Sequence, residues 1–560
     1  MTNKEIARRF SDLAAIMELH NENPFKIRSY ANAYITLRKL DTSLADMPRA
    51  EMDAIKGVGK AIGDKIQELL QTGDMQTFRK YADETPAGVV DMLSIKGFGP
   101  KKIQAVWKEL GIETVGELLY ACNENRLIEL HGFGKKTQDE IRKNTEYYLR
   151  SRHKIHWATA DDMATATEKY LKEQLPTAKI ERTGELRRLM PTVERLDFLI
   201  GLEGDLPSQL FDNETLTLID SKENSFLAKN EDDFAVQIFT CLPNEFGSKL
   251  FKYSGSRPFL EAFLKNIEER NPDSFGAEGA DFKNIADEKA LFEKAKLPFI
   301  PAELRENGDV LSLAAAGKLP NLINLGDIKG VIHTHTTYSD GLHSIQDMAK
   351  TAQHLGYQYI GITDHSKAAF YANGLKEDRI YQQWAEIDAL NGQFFNFRIL
   401  KGIECDILND GSMDYNDEIL RGFDFVIASV HSNLKMNEEK ATARLIKAVE
   451  NQYVTILGHP TGRLLLSREG YPIDHEKVID ACAANGVTIE LNAHPWRLDV
   501  DWTWIPRARE RGVLISVNPD AHSTAGINDI RYGIMAARKG GLDAAGCLNS
   551  RDVEGFLQKK

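Results

Sequence analysis

Residues 357–365 read Tyr-Gln-Tyr-Ile-Gly-Ile-Thr-Asp-His, an apolar run that stops on a carboxylate and an imidazole. The same shape returns at 397–407 (FRILKGIECDI), 423–432 (FDFVIASVHS), 453–460 (YVTILGHP), 486–495 (GVTIELNAHP) and 512–522 (GVLISVNPDAH). Helical patterns lie between these runs, and alternation of that kind predicts βα units around a parallel sheet or barrel. In such barrels the chemistry gathers at the C-terminal ends of the strands. From Val331 onward those ends carry His333 and His335 (HTH), Asp340 (SDG), His365 (TDH), Glu404 (GIEC), His431 (SVHS), His459 (LGHP), and Asp520 with His522 (PDAH). A lone histidine is more often a satisfied core residue than a ligand. The repetition at strand ends argues against that reading for the set. Imidazole mixed with carboxylate suits Mn, Zn or Fe, and a set this large predicts more than one ion. Clustered divalent ions can generate a nucleophile from water and clamp a phosphate diester.

The first 150 residues follow another rule. One phrase recurs as Ile55-Lys-Gly57-Val-Gly59-Lys60, as Ile95-Lys-Gly97-Phe-Gly99-Pro-Lys101-Lys102 and as Leu130-His-Gly132-Phe-Gly134-Lys135-Lys136, each time leading into a helical pattern. Such a turn exposes backbone N–H groups at a helix N-terminus, and glycine lets a phosphate come close. The lysines just beyond it add attraction to a nucleic-acid backbone that is blind to sequence. A single copy would be a tight helix connection. Three copies with lysines in the same place predict phosphate-backbone binding, and the phrase resembles the helix-hairpin-helix motif of DNA repair proteins.

Charge and composition fit this division. The chain has 560 residues, too many for one hydrophobic core, and a formal net charge of −13. Residues 1–150 hold 23 Lys+Arg against 22 Asp+Glu, which leaves 47 against 61 of the totals of 70 and 83 for the remainder. The acidity therefore lies in the part rich in candidate ligands. Cys122, Cys241, Cys405, Cys482 and Cys547 form no CxxC and read as free thiols of a reducing cytoplasm. The opening MTNKEIARRF lacks the apolar run of a signal peptide, and no stretch is long and apolar enough for a membrane span. The expected location is cytoplasmic, with DNA as the partner, no membrane and no obligate protein partner.

Residues 331–525 resemble a PHP (polymerase and histidinol phosphatase) domain, whose metal motifs are matched at His333, His335, Asp340, His365, Glu404, His431, His459, Asp520 and His522. The resemblance implies a distorted (β/α)7 barrel with three divalent ions, Mn foremost, Zn or Fe as alternatives. Upstream, LPFIPAELRENGD, LPNLINLGDIKG and the glycine turns resemble bacterial family X DNA polymerases that end in a PHP domain. The fold so implied is multidomain. Residues 1–80 form an N-terminal helical DNA-binding domain and 81–150 a fingers-like helical region. An α+β nucleotidyltransferase-like palm follows over 151–245, a thumb over 246–318, a linker over 319–329 and the α/β PHP barrel over 330–560.

The family pattern breaks in the palm. Family X polymerases place GS-x-RR before a strand bearing Asp-x-Asp, with a third Asp on a later strand. Here the stretch reads Gly184-Glu185-Leu-Arg187-Arg188, then Arg195-Leu-Asp197, with Gln237 near the third position, while Ser254-Gly255-Ser256 resembles the thumb-side TGS. The polymerase site is therefore expected to be vestigial. Lys65 matches the Schiff-base lysine of family members with deoxyribose-phosphate lyase activity, and Lys26 a DNA-phosphate position; both also read as plain solvated or phosphate-contacting lysines. The function expected is a DNA-binding, metal-dependent 3′–5′ exonuclease or phosphodiesterase of DNA repair, acting on gapped, nicked or 3′-ended DNA. The rivals are a gap-filling polymerase with exonuclease, a phosphatase of a small phosphorylated metabolite, and a non-catalytic DNA scaffold.

Overall fold

A computed structural model describes every residue except 41, 124–125, 152–153, 212–214, 271–284, 467–468 and 559–560. The chain divides into two compact units, Met1–His153 and Lys154–Lys560. No helix among the described residues is long and apolar enough to cross a membrane.

The first unit is helical. Its leading helix, Asn3–Leu19, begins at a capping box in which Thr2 and Glu5 satisfy each other's backbone N–H. Ile6, Phe10, Leu13 and Met17 recur at helical spacing and are buried. They join one cluster that also holds Ile103, Trp107 and Ile141, and Gln104 Nε2 donates to Leu19 O at 2.7 Å. A single core thus runs across residue 80, where the sequence suggests a boundary.

The three glycine turns are built alike. Val58 N donates to Ile55 O at 2.9 Å, Phe98 N to Ile95 O at 3.2 Å, and Phe133 N to Leu130 O at 3.1 Å. Gly57, Gly97 and Gly132 have φ of +89°, +74° and +83°, a region open to glycine at no steric cost. Val58, Phe98 and Phe133 plug the core, which forces the flanking glycines outward. Gly59 and Gly99 then cap the helices Lys60–Thr72 and Pro100–Leu110, and Lys135–Ser151 follows the third turn.

Among the described residues the strands all lie in the second unit: β1 Ile155–His156, β2 Lys179–Arg182, β3 Thr192–Val193, β4 Leu196–Gly201, β5 Leu216–Lys222, β6 Ser225–Asn230, β7 Ala235–Cys241, β8 Gly330–Thr334, β9 Tyr359–Ile362, β10 Arg398–Asp406, β11 Phe425–Ser429, β12 Ile456–Leu457, β13 Thr488–Asn492 and β14 Ile515–Asn518. A mixed sheet runs β2-β4-β7-β6-β5, with β4 parallel to β7. The interior strand β4 is buried at every position. Phe198 and Ile200 share a cluster with Trp157 and Ala160 of the helix Trp157–Gln174, whereas Leu199 packs on Phe246 and Leu250. Beyond lies an aromatic cluster of Phe251, Phe259, Phe263 and Phe292. Arg305 is fully buried against it, paired to Glu288 at 2.6 Å.

Strands β8 to β14 are parallel and ordered as in sequence. The barrel nearly closes, because His335 N donates to Ala521 O at 2.8 Å and Ala521 N to His333 O at 3.1 Å. The Phe425 ring fills the interior: a Cβ on Gly361 or Gly402 would lie 2.5 or 2.4 Å from its Cζ. That explains two glycines inside strands.

Barrel and mixed sheet share one core. The Trp157 ring meets Tyr532 edge-on at 6.3 Å, Arg538 pairs with Glu303 at 2.6 Å, and Lys539 reaches Glu306 at 2.7 Å and Arg188 O at 2.8 Å. Residues 319–329, expected to link two domains, lie against the barrel with Ile323 and Ile328 buried. Ile323 N donates to Leu542 O at 2.9 Å.

Candidate functional site

At the C-terminal ends of the barrel strands the structure brings all nine candidate ligands together. Glu404, inside β10 and 1% exposed, is the hub. One oxygen lies 3.2 Å from His333 Nε2, 3.1 Å from His431 Nε2 and 2.9 Å from His459 Nε2. The other lies 2.9 Å from His365 Nδ1 and 3.7 Å from His335 Nε2. Asp520 Oδ1 approaches His335 Nε2 at 3.3 Å and His333 Nε2 at 3.6 Å. Asp340 does not end a strand; it stands on the loop after β8, where Oδ2 meets His522 Nε2 at 3.4 Å and His365 Nε2 at 3.6 Å.

Four overlapping groups have ligand-to-ligand spacing that suits a cation: His335, Asp340, His365 and His522; His333, Glu404 and His459; His333, His335 and Asp520; and His365, Glu404 and His431. His333 Nε2, both ring nitrogens of His335 and one oxygen of Glu404 are buried without a hydrogen-bond partner. Buried polar atoms left unmatched are costly, and their convergence fits cations. Charges within the cluster offset one another. Burial raises the Glu404 carboxyl, yet the rings of His431, His333 and His365 outweigh it and hold that group well below the carboxylate range. His335 goes the other way, pushed down to about 3 by burial and by His365 and His522. A neutral imidazole is the form that ligates.

Backbone geometry sets these directions. His333, His459 and Asp520 have positive φ, +62°, +21° and +53°. Around His333 the β8–β9 register shifts between Val331 and Thr334. A regular strand would turn Ile332 and His333 to opposite faces. Here Ile332 packs with Phe425 in the interior cluster while His333 still reaches Glu404. The bulge re-aims the histidines.

The strand runs contain further functional residues that strand-end placement does not single out. Glu490 accepts from His333 Nδ1 at 2.6 Å, from His459 N at 2.7 Å and from Asn518 Nδ2 at 2.7 Å. It fixes the His333 tautomer so that Nε2 faces the cluster. Asn492 Nδ2 donates to Asp520 Oδ2 at 3.0 Å. Asp364 accepts from Thr336 N at 2.8 Å, Ser339 Oγ at 2.5 Å and Gln383 Nε2 at 2.7 Å, holding the loop that carries Asp340. Polar residues at alternate positions of TIELN (Thr488, Glu490, Asn492) are the signal in the sequence that could have found the first two. Arg497 Nε lies 3.9 Å from Asp520 Oδ2.

The expected polymerase site is arranged otherwise. Asp197 on β4 stands in register with Gln237 on β7. Arg195 Nε donates to Asp197 Oδ1 at 2.7 Å. Burial pushes the Asp197 carboxyl up to about 6, and Arg195 opposes that shift. Gln237 donates to Ser225 Oγ and Phe226 O, each at 3.0 Å. Glu185 accepts from Glu194 N at 2.8 Å. Arg187 forks onto Glu288 at 2.8 and 3.0 Å and reaches Ser254 Oγ at 2.7 Å, and Arg188 pairs with Glu306 at 2.9 Å. Both arginines of the RR pair are thus held by carboxylates.

In the helical unit Lys60, Lys101, Lys135 and Lys136 are exposed beside their turns and Lys102 is half-buried. Lys26 is exposed on the helix Pro24–Leu37. Lys65 Nζ donates to Thr77 Oγ1 at 2.6 Å.

Comparison with known proteins follows the same division. A helix-hairpin-helix domain family matches residues 1–75, a SAM-like helix-hairpin-helix tandem matches 89–143, and the PHP domain matches 332–494. Among curated relatives, the DNA polymerase/3′-5′ exonuclease PolX of Bacillus subtilis (strain 168) is 36% identical over 573 aligned residues, covering 100% of both chains. A probable phosphatase of Acetivibrio thermocellus is 33% identical over 199 residues, 34% of this chain and 78% of its own. Another, from Thermoanaerobacter sp. (strain X514), is 30% identical over 243 residues, 41% of this chain and 94% of its own.

Proposed function

The chain belongs to the bacterial PolX proteins, family X DNA polymerase scaffolds with a C-terminal PHP domain, and from that premise we propose that it is a metal-dependent 3′–5′ exonuclease of DNA repair that has lost DNA synthesis. The observation that carries this reading is a contrast between two sites. The nine-residue cluster around Glu404 converges with unmatched buried ligand atoms, while in the palm Arg195 stands where a carboxylate should and neutralises Asp197.

In this reading residues 1–80 and 81–150 grip the backbone through Gly57, Gly59, Lys60, Gly97, Gly99, Lys101, Lys102, Gly132, Gly134, Lys135 and Lys136, with Lys26 as a further phosphate contact. Residues 151–245 are the vestigial palm, 246–318 the thumb and 330–560 the hydrolytic domain. Three divalent ions, Mn first and Zn or Fe as alternatives, fit four overlapping groups that share His333, His335, His365 and Glu404. Bound there, they would supply a polarised water and charge neutralisation for phosphodiester hydrolysis. The protein's share is to hold imidazole tautomers through Glu490, aim His333 through the β8 bulge, and place Arg497 at the edge of the cluster for a phosphate. Lyase chemistry at Lys65 is a subsidiary proposal. DNA as substrate is in keeping with a location in the bacterial cytoplasm or nucleoid.

The test is incubation with Mn²⁺ and 5′-labelled gapped, nicked or single-stranded DNA, with and without dNTPs. A ladder shortening from the 3′ end is the expected result. Extension in the presence of dNTPs would favour a gap-filling polymerase, in line with the name of the Bacillus relative. The phosphatase reading draws on the Thermoanaerobacter protein, most of whose length is shared with this chain. Turnover of small phosphomonoesters with DNA left intact would establish it.

A further inference from the structure

Trp496 is 57% exposed, and it stands on the loop after β13, beside Arg497 and two residues past His494. The loop itself is firmly held. Arg497 N donates to His494 O at 2.8 Å, and Leu465 N to Trp496 O at 2.7 Å. Arg463 Nε donates to Arg497 O at 3.0 Å, and a second nitrogen of that guanidinium bonds Leu498 O. The indole is braced as well. His156 stacks against it at 5.7 Å with 25° between planes, and His494 meets it edge-on at 5.8 Å. His156 belongs to β1, which pairs with β3 in the palm half of the unit, and its Nε2 bonds Leu465 O at 3.1 Å. The palm therefore supplies one wall of a platform at the rim of the hydrolytic barrel.

A large ring held rigid yet exposed presents a ready-made face for a ligand. Its neighbour narrows the choice of ligand. Arg497, one residue on, lies 3.9 Å from the candidate ligand Asp520, so the loop carries an exposed aromatic ring and, next to it in the chain, a guanidinium at the edge of the candidate metal cluster. Leu342 adds exposed apolar surface from the loop after β8, where its N donates to His522 O at 2.8 Å. A small phosphomonoester needs the cation and has no use for the ring. A nucleic-acid strand uses both, since any base can stack on an indole while the adjoining phosphate meets the arginine.

We propose that Trp496 is the stacking platform for the base at the 3′ end of the strand under hydrolysis, with Arg497 holding the adjoining phosphate. Resting on the nuclease reading above, it assigns the residue on which the terminal base rests. A paired base already stacks within its duplex and would have to fray before reaching the indole.

The test uses the full chain and a single-stranded oligonucleotide carrying 2-aminopurine at its 3′ terminus. In EDTA the wild-type protein should quench that fluorophore, Trp496→Ala should not, and Trp496→Phe should restore most of the quenching. With Mn²⁺, the ratio of kcat/KM for the oligonucleotide to that for bis(p-nitrophenyl) phosphate should fall about tenfold in Trp496→Ala. Quenching by Trp496→Ala equal to wild type, or an equal loss on both substrates, overturns the proposal and leaves the nuclease reading standing. A wild-type protein that hydrolyses the small diester but no DNA removes the nuclease reading itself.

Discussion

Arg195 Nε lies 2.7 Å from Asp197 Oδ1, so the carboxylate left in the palm already holds a guanidinium from two residues earlier in the chain. Across the sheet, Gln237 faces Asp197 in register and spends its amide on Ser225 and Phe226. An amide and an ion-paired carboxylate are a poor pair for two cations, and a guanidinium ligates none. Template-dependent primer extension should therefore be absent from protein whose barrel is disabled, so that degradation cannot mask synthesis. Arg195→Asp alone should not restore it. Extension that disappears on Asp197→Ala would refute this prediction.

The same carboxylate makes a prediction about stability. Burial raises the Asp197 pKa to about 6 from an ordinary value of 3.8, Arg195 working against that rise. A folded-state value above the unfolded one favours the protonated form. Its stabilising contribution is complete below about pH 4 and is lost as pH climbs through 6. Asp197→Asn should therefore raise thermal stability at pH 8, by roughly 1–3 kcal/mol, and change it little at pH 4. A larger gain at pH 4 than at pH 8 would show the sign to be wrong.

In the candidate metal centre, His333→Ala with His335→Ala removes candidate ligands from three of the four overlapping groups. Mn²⁺-dependent DNA degradation should vanish and bound metal per chain should fall, as read by elemental analysis. Full nuclease activity in the double variant would place the chemistry elsewhere.

Glu490 touches His333 and not the cluster's centre. Glu490→Gln should weaken Mn²⁺ affinity by about 10- to 100-fold in a calorimetric titration while the fold persists. Unchanged affinity would mean that the imidazole is oriented without it.

For the helical unit, Lys101→Ala with Lys102→Ala should lower DNA affinity and flatten its dependence on salt. Each phosphate contact removed takes about one unit from the slope of log K against log salt. Hydrolysis of a small diester, which needs no backbone grip, reports whether the barrel is intact. A salt slope equal to wild type would take the second turn out of the interface.

Much of this protein is legible in its sequence because local rules govern it. Three hydrophobic-Gly-hydrophobic-Gly turns specify their own conformation, since the middle residue must bury and the first glycine must take positive φ. Alternation of apolar runs with helices specifies a parallel barrel, and polar residues at the run ends mark its chemical face. Arg195 is a fixed positive charge at the position where the family pattern has a carboxylate, and its residue type alone motivates the proposal of a lost polymerase site.

What tertiary structure alone decided concerns direction and partnership across long sequence separations. Strict two-residue periodicity turns Ile332 and His333 to opposite faces, and only the register shift beside β9 brings both inward. Glu490 lies 157 residues from His333, and although the polar alternation of TIELN marks the residue, nothing in the sequence names the imidazole it orients. Arg187 and Arg188 match the RR of the family pattern, yet Glu288 and Glu306, more than a hundred residues on, hold them as ion pairs. A sequence states which groups a chain owns. Which of them meet depends on how strands bulge and close, and those are properties of the packed barrel rather than of any segment within it.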